Sequence, residues 1–197
     1  MEDNRARERS SHVRALSDSI ALLRQTLPAA LPRLRRFARS LTRDAQDADD
    51  LVQNAIERAL RHAAQWRAPA ADATAEQVEA AVRSWMFGIV KNAWSDNRRA
   101  HRRERALFAS TPTGGEEDLA AIADTAHSSV QDQLSIAAAM QRLPEEQCLA
   151  VSLVLVEGLS YQEAADIMQV PIGTLTSRLS RAREALTALL GERDGAS

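Results

Sequence analysis

The chain has 197 residues, room for one medium domain or two small ones. Its 25 lysines and arginines nearly balance 27 acids for a formal net charge of -2, and hydrophobic residues make up 45%, which excludes a wholly disordered chain. A single cysteine, Cys148, excludes a disulfide framework or a cysteine-rich zinc site, and few glycines and aromatics beside abundant Ala, Leu and Arg make a sheet-based fold a poor fit.

Residues 1–15 are mostly polar and are expected to form a disordered arm. From Leu16 the apolar positions Leu16, Ile20, Leu23 and Leu27 fall at helical spacing until Pro28 and Pro32. Proline lacks the N–H and clashes inside a helix, so a break is expected there and a second helix from about Pro32 through Leu41. The stripe Ala45, Ala48, Leu51, Val52, Ala55, Ile56, Ala59 and Leu60 predicts a helix over roughly 44–61. An Ala- and Pro-rich loop follows, about 66–74. The next helix is expected from near Glu76 to Arg105, burying Trp85, Met86, Ile89, Val90, Ala93 and Trp94. Turn formers and acids then dominate, so 108–129 is assigned as a linker. The first domain is therefore placed at 16–107.

The second domain, 130–192, is expected to hold helices over Val130–Leu143 and Pro144–Glu157, closed by Gly158 in a left-handed turn. Ser160-Tyr-Gln-Glu163 is a capping box opening a short helix to about Met168. Gln169-Val-Pro171 makes a turn, the last helix runs from about Ile172 to Leu190, and 193–197 form a tail. The architecture is all-α: two small helical domains joined by a flexible linker.

Two short helices joined by a tight turn, the second longer and basic, are the plan of a helix-turn-helix. In the last helix Ile172, Leu175, Leu179, Ala182, Leu186 and Leu189 form a core stripe, and Thr174, Thr176, Ser177, Arg178 and Arg181 lie opposite or on its flank. Arginine can bind guanine O6 and N7 in a bidentate way, and hydroxyls reach phosphates or base edges. In the first domain, Asp47, Asp50, Gln53, Asn54 and Glu57 form a polar face opposite the apolar stripe of their helix. From Lys91 to Arg105 six lysines and arginines stand against two acids, an excess of four, and Lys91, Ser95, Arg98 and Arg102 line one stripe. Such a face gains affinity for phosphates by releasing counterions, and Trp85 and Trp94 accompany it, as aromatics that support unstacked bases do.

The strings Leu143-Pro-Glu-Glu-Gln147, Val156-Glu-Gly-Leu-Ser-Tyr-Gln-Glu-Ala-Ala165, Val170-Pro-Ile-Gly-Thr174 and Ser177-Arg-Leu-Ser-Arg-Ala-Arg183 resemble domain four of bacterial sigma factors of the extracytoplasmic-function (ECF) kind. The resemblance implies that Thr174, Thr176, Ser177, Arg178 and Arg181 contact the duplex −35 promoter element. Gln169 stands where such turns often have glycine. The string Asp47 to Leu60 resembles the polymerase-binding helix of domain two, which implies docking of Asp47, Asp50, Gln53, Asn54 and Glu57 on core RNA polymerase. Ser84 to Asn92 with Ser95 to Arg99 resembles the segment that melts and holds the −10 element. By that match Lys91, Asn92, Trp94, Asp96, Asn97, Arg98 and Arg99 face the opened strand. The resemblance covers about 28–105 and 130–190, and implies promoter DNA, core polymerase and an anti-sigma factor as partners.

Two other assignments stay open on residues alone. A stand-alone helix-turn-helix regulator would leave both first-domain faces without a task. A sigma-like mimic that titrates an anti-sigma factor would not need the arginine face of the last helix. An enzyme is not expected, because His12, His62, His101 and His127 are scattered, with no metal-ligand spacing or triad, and no phosphate-cradling glycine motif is present. No cofactor or metal is implied. The longest apolar run, Cys148 to Val156, falls well short of the roughly 20 residues that span a bilayer, and the N-terminus lacks the apolar stretch of a signal peptide. A cytoplasmic protein without membrane insertion is therefore expected.

Overall fold

The computed structural model describes the backbone of residues 2–42, 44–66, 69–70, 72–108 and 136–194, and side chains within 20–104 and 136–190 apart from 43, 64, 67, 68 and 71. Most of the assigned linker and the end of the tail lie outside those residues. The described secondary structure is entirely helical: α1 (Glu2–Leu41), α2 (Ala45–Arg61), a short 3₁₀ turn (Ala63–Gln65), α3 (Ala75–Phe108), α4 (136–142), α5 (Glu145–Val151) continuing into a π turn (Ser152–Val156), α6 (Tyr161–Met168) and α7 (Ile172–Asp194). None of the described helices is long and apolar enough to cross a membrane.

The N-terminal domain packs α1, α2 and α3 against one another. Leu23, Leu34, Phe37 and Leu41 of α1 meet Leu51, Val52 and Ala55 of α2 and Val82, Met86, Phe87 and Val90 of α3 in the core. Phe37 and Phe87 cross edge to face at 5.0 Å between centroids, the arrangement that the ring quadrupole favours. Asp44 caps α2 by accepting from the Gln46 N–H at 2.6 Å, satisfying a donor that the first helical turn leaves free.

Two expectations are corrected here. Pro28 and Pro32 do not divide α1, which runs unbroken through both, and the segment assigned as a disordered arm carries the helical backbone from Glu2. Both prolines are exposed and lie four residues apart, on one face turned from the core. The carbonyls of Arg24 and Pro28, which lose their helical donors, belong to exposed residues, where solvent can supply the missing bond. The proline rule has its full cost only where that carbonyl is buried.

In the C-terminal domain α5 packs on α7, and α6 lies across both. Leu143, Cys148, Leu149, Leu153, Ala164, Ala165, Leu175, Leu179 and Ala182 fill its core. Of the stripe expected on α7, Ile172 departs, standing 48% exposed at the first turn. The π turn inserts one residue into the helical register, closed by the Glu157 N–H donating to the Ser152 carbonyl at 3.0 Å. Gly158 at φ 67° then ends the segment, a conformation that costs a residue with a Cβ more than glycine. The two domains also pack on each other, α1 against the π turn and α3 against α6, so that their buried apolar residues form one connected cluster.

Candidate nucleic-acid interface

The helix-turn-helix is built by local rules. Ser160 and Glu163 complete the capping box, with the Ser160 N–H donating to the Glu163 carboxylate at 2.8 Å and the Glu163 N–H donating to Ser160 Oγ at 3.2 Å. The Ser160 hydroxyl donates to the same carboxylate at 2.7 Å, and these bonds hold the Glu163 carboxyl below its ordinary range. At the other end of α6, Gln169 adopts φ 57° and ψ 46°, the left-handed conformation that the absent glycine would have taken more cheaply. The Val170 N–H donates back to the Ala165 carbonyl at 3.0 Å, so the turn between α6 and α7 is closed by helix-end hydrogen bonds.

Along α7, Thr176, Ser177 and Arg181 are exposed, Thr174 is half-buried, and Ser180 shares the outer face. Ser180 is a residue that matching of motifs passed over and that the 3.6-residue period places one turn beyond Thr176 and Ser177. Thr176 donates to the Ile172 carbonyl and Ser177 to the Thr174 carbonyl, each at 2.9 Å, so their oxygens face outward as acceptors. Arg178 behaves differently. Its guanidinium pairs with the Glu146 carboxylate of α5 and its side chain is only 16% exposed, so in this arrangement it ties two helices of its own domain together.

On α3 the predicted set divides in two. Asn92, Asp96, Asn97 and Arg99 are exposed. Trp94 is 4% exposed and belongs to the core, with the Arg98 guanidinium 5.1 Å from its ring centroid, so the tryptophan here supports a cation and offers no open face to a base. Trp85 is half-buried and lies 6.0 Å from Trp66. Asp96 accepts from Arg58 of α2 at 2.9 Å. Lys91 is turned toward the other domain, its Nζ donating to the Ile167 carbonyl at 3.2 Å, and burial lowers its pKa. Ser95 and Arg102 both donate to Glu145 of α5 at 2.6 Å.

The polar face of α2 is fully presented: Asp47, Asp50, Gln53, Asn54 and Glu57 are all exposed. Asp47, Asp50 and Asn54 line one wall of a cleft of about 520 Å³ whose other wall carries Asn97, Arg98 and Arg102 of α3. An acidic and a basic face thus meet along one edge of the domain. Among the described residues no group of His, Cys, Asp and Glu is placed to hold a metal ion. Cys148 is buried, and burial pushes its thiol up to about 11, the behaviour of an inert core cysteine.

Residues 133–186 match the family described as Sigma-70, region 4, and residues 27–91 match the Sigma2 domain of PhyR. The chain is similar to the ECF RNA polymerase sigma factor EcfG of Rhodopseudomonas palustris, 36% identical over 179 residues that cover 89% of this chain and 87% of the relative. It is 37% identical to the ECF RNA polymerase sigma factor SigM of Mycobacterium tuberculosis over 80% of this chain and 71% of that one. Among solved structures, the sigma factor RpoE of Bartonella quintana, in complex with the anti-sigma factor NepR, superposes with a TM-score of 0.64 at 28% identity over 86% of this chain and 96% of that chain.

Proposed function

The chain belongs to the ECF family of RNA polymerase sigma factors, and we propose that its three polar faces divide the work of promoter recognition among them. As a sigma factor it directs RNA polymerase to promoters and is not itself an enzyme. The outer face of α7, with Thr174, Thr176, Ser177 and Arg181, enters the major groove of the duplex −35 element. Ser180 joins that face, and Arg178 orients α7 through Glu146 while staying close to the DNA backbone. Asn92, Asp96, Asn97, Arg98 and Arg99 of α3 hold the opened −10 strand, with Lys91 reaching it once freed from α6. Trp94 acts from beneath, as the support for Arg98. Asp47, Asp50, Gln53, Asn54 and Glu57 dock on core polymerase. The work is done in the cytoplasm.

The observation that carries this reading is the exposed hydroxyl and arginine face on the second helix of a capped helix-turn-helix, since direct readout needs donors and acceptors on a rigid element that fits the major groove. The likeness to RpoE, solved with NepR, supports an anti-sigma factor as a further partner, one that covers these faces.

A second reading draws on one observation. Residues 27–91 match a domain of PhyR, a protein described as an anti-anti-sigma factor in its complex with NepR, so the chain would titrate an anti-sigma factor and leave DNA alone. Run-off transcription with purified core polymerase separates the two. Under the proposed function the chain starts RNA on promoters with an intact −35 element and loses that activity when the element is scrambled. A mimic joins the anti-sigma factor but starts no RNA.

A further inference from the structure

Glu157 lies at the end of the π turn with its carboxylate fully buried. A buried carboxylate without partners is expensive, and every partner that the described residues give this one lies on α1, in the other domain. Arg36 donates through Nε at 2.8 Å and Nη2 at 3.0 Å, Arg33 donates through Nε at 3.1 Å, and Arg33 also donates to the Glu157 carbonyl. The π turn aims it there: one residue fewer would rotate position 157 by about 100° around the helix axis. Around this pair the seam is stitched by Gln141 donating to the Thr42 carbonyl at 2.8 Å, by Glu145 accepting from Ser95 and Arg102, and by Lys91 donating to the Ile167 carbonyl. Three of those side chains, Lys91, Ser95 and Arg102, come from the basic stripe of α3.

We propose that Glu157 is a latch: with Arg33 and Arg36 it holds the two domains in a self-inhibited arrangement that keeps Lys91, Ser95 and Arg102 of the basic stripe of α3 bound to the other domain and so away from DNA. The carboxylate is desolvated only while the domains are docked, and its two cations are far more exposed, at 32% and 54%, so undocking rehydrates all three groups together. In the docked form α5 and α6 supply the acceptors that a phosphate backbone would otherwise supply to α3. The apparent affinity for an opened −10 strand is then the intrinsic affinity scaled by the undocked fraction. The part of this inference that concerns DNA rests on the −10 assignment above; the latch itself rests on the contacts alone.

The test compares the full chain with Glu157→Ala and with Arg33→Ala/Arg36→Ala by two measurements. The first is the affinity for a fluorescent single-stranded oligonucleotide carrying a −10 sequence. The second is the rate at which dithionitrobenzoate modifies Cys148, which is 1% exposed and donates across the seam to the Ser40 carbonyl at 3.7 Å. Both variants are expected to bind the oligonucleotide about tenfold or more tightly than wild type, and to react severalfold faster at Cys148. The double arginine variant is the sharper of the two. Removing two cations from a protein that has no latch weakens DNA binding, whereas releasing a latch strengthens it. If Glu157→Ala loses helical content by circular dichroism, the arginine variant decides alone. Wild-type thiol reactivity in the arginine variant overturns the latch. Faster thiol reaction with oligonucleotide binding unchanged from wild type overturns the self-inhibition, whereas no binding of the oligonucleotide by any of the three proteins overturns the −10 assignment instead.

Discussion

Arg178 and Arg181 stand three residues apart on the same helix, and chemistry alone makes them equivalent. Geometry separates them: Arg178 is held by Glu146 with most of its side chain covered, and Arg181 is exposed. Arg181→Ala is therefore expected to leave thermal stability unchanged and to cost about 1–3 kcal/mol of discrimination between intact and mutated −35 elements. Arg178→Ala should lower stability by about 1 kcal/mol through lost packing and a lost ion pair, measured by urea unfolding, and weaken binding to all sequences alike. Equal loss of −35 discrimination in the two variants would contradict the division. Trp94 shows the same limit of residue-level reading, since its spacing put it on the buried stripe while the resemblance put it against the opened strand, and the packing of α1, α2 and α3 decides for the core.

At the level of elements, the helices that periodicity and end signals foretold are those whose stability is local. α2, α3, α6 and α7 appear within a few residues of their expected bounds, because apolar spacing, the Asp44 cap and the Ser160 capping box act within one or two turns. Ser160→Ala is expected to cost about 1 kcal/mol. Because the cap lowers the pKa of Glu163, its contribution is complete above the ordinary glutamate value of about 4.3 and fades as pH falls through the lowered one. Thermal melts of the variant and the wild type should therefore differ at pH 7 and converge toward acid. The elements that sequence patterns missed depend on what lies across space. Whether Pro28 and Pro32 break α1 depends on which side of the helix meets the core. The π turn after Val151 leaves no mark in the apolar run from Cys148 to Val156, and Glu157 looks like any acid before a helix-ending glycine until Arg33 and Arg36, more than a hundred residues earlier, are found beside it.

For the whole molecule, a net charge of -2 conceals a segregation that suits an adaptor: acids outward on α2, bases on α3, hydroxyls and arginines on α7. Each face proposed to bind DNA is small, and the docked domains engage part of the α3 face internally. Polymerase is expected to hold the domains apart at promoter spacing, so that the second DNA contact becomes intramolecular and modest affinities multiply. The most direct test measures the affinity of a labelled promoter fragment for the chain alone and for the chain bound to core polymerase, at one salt concentration. The account predicts weak binding by the free chain, binding about 100-fold or more tighter in the complex, and a return to weak binding when Asp50→Arg removes the polymerase contact from a still-folded protein. A free chain that binds the fragment as tightly as the complex does would contradict it.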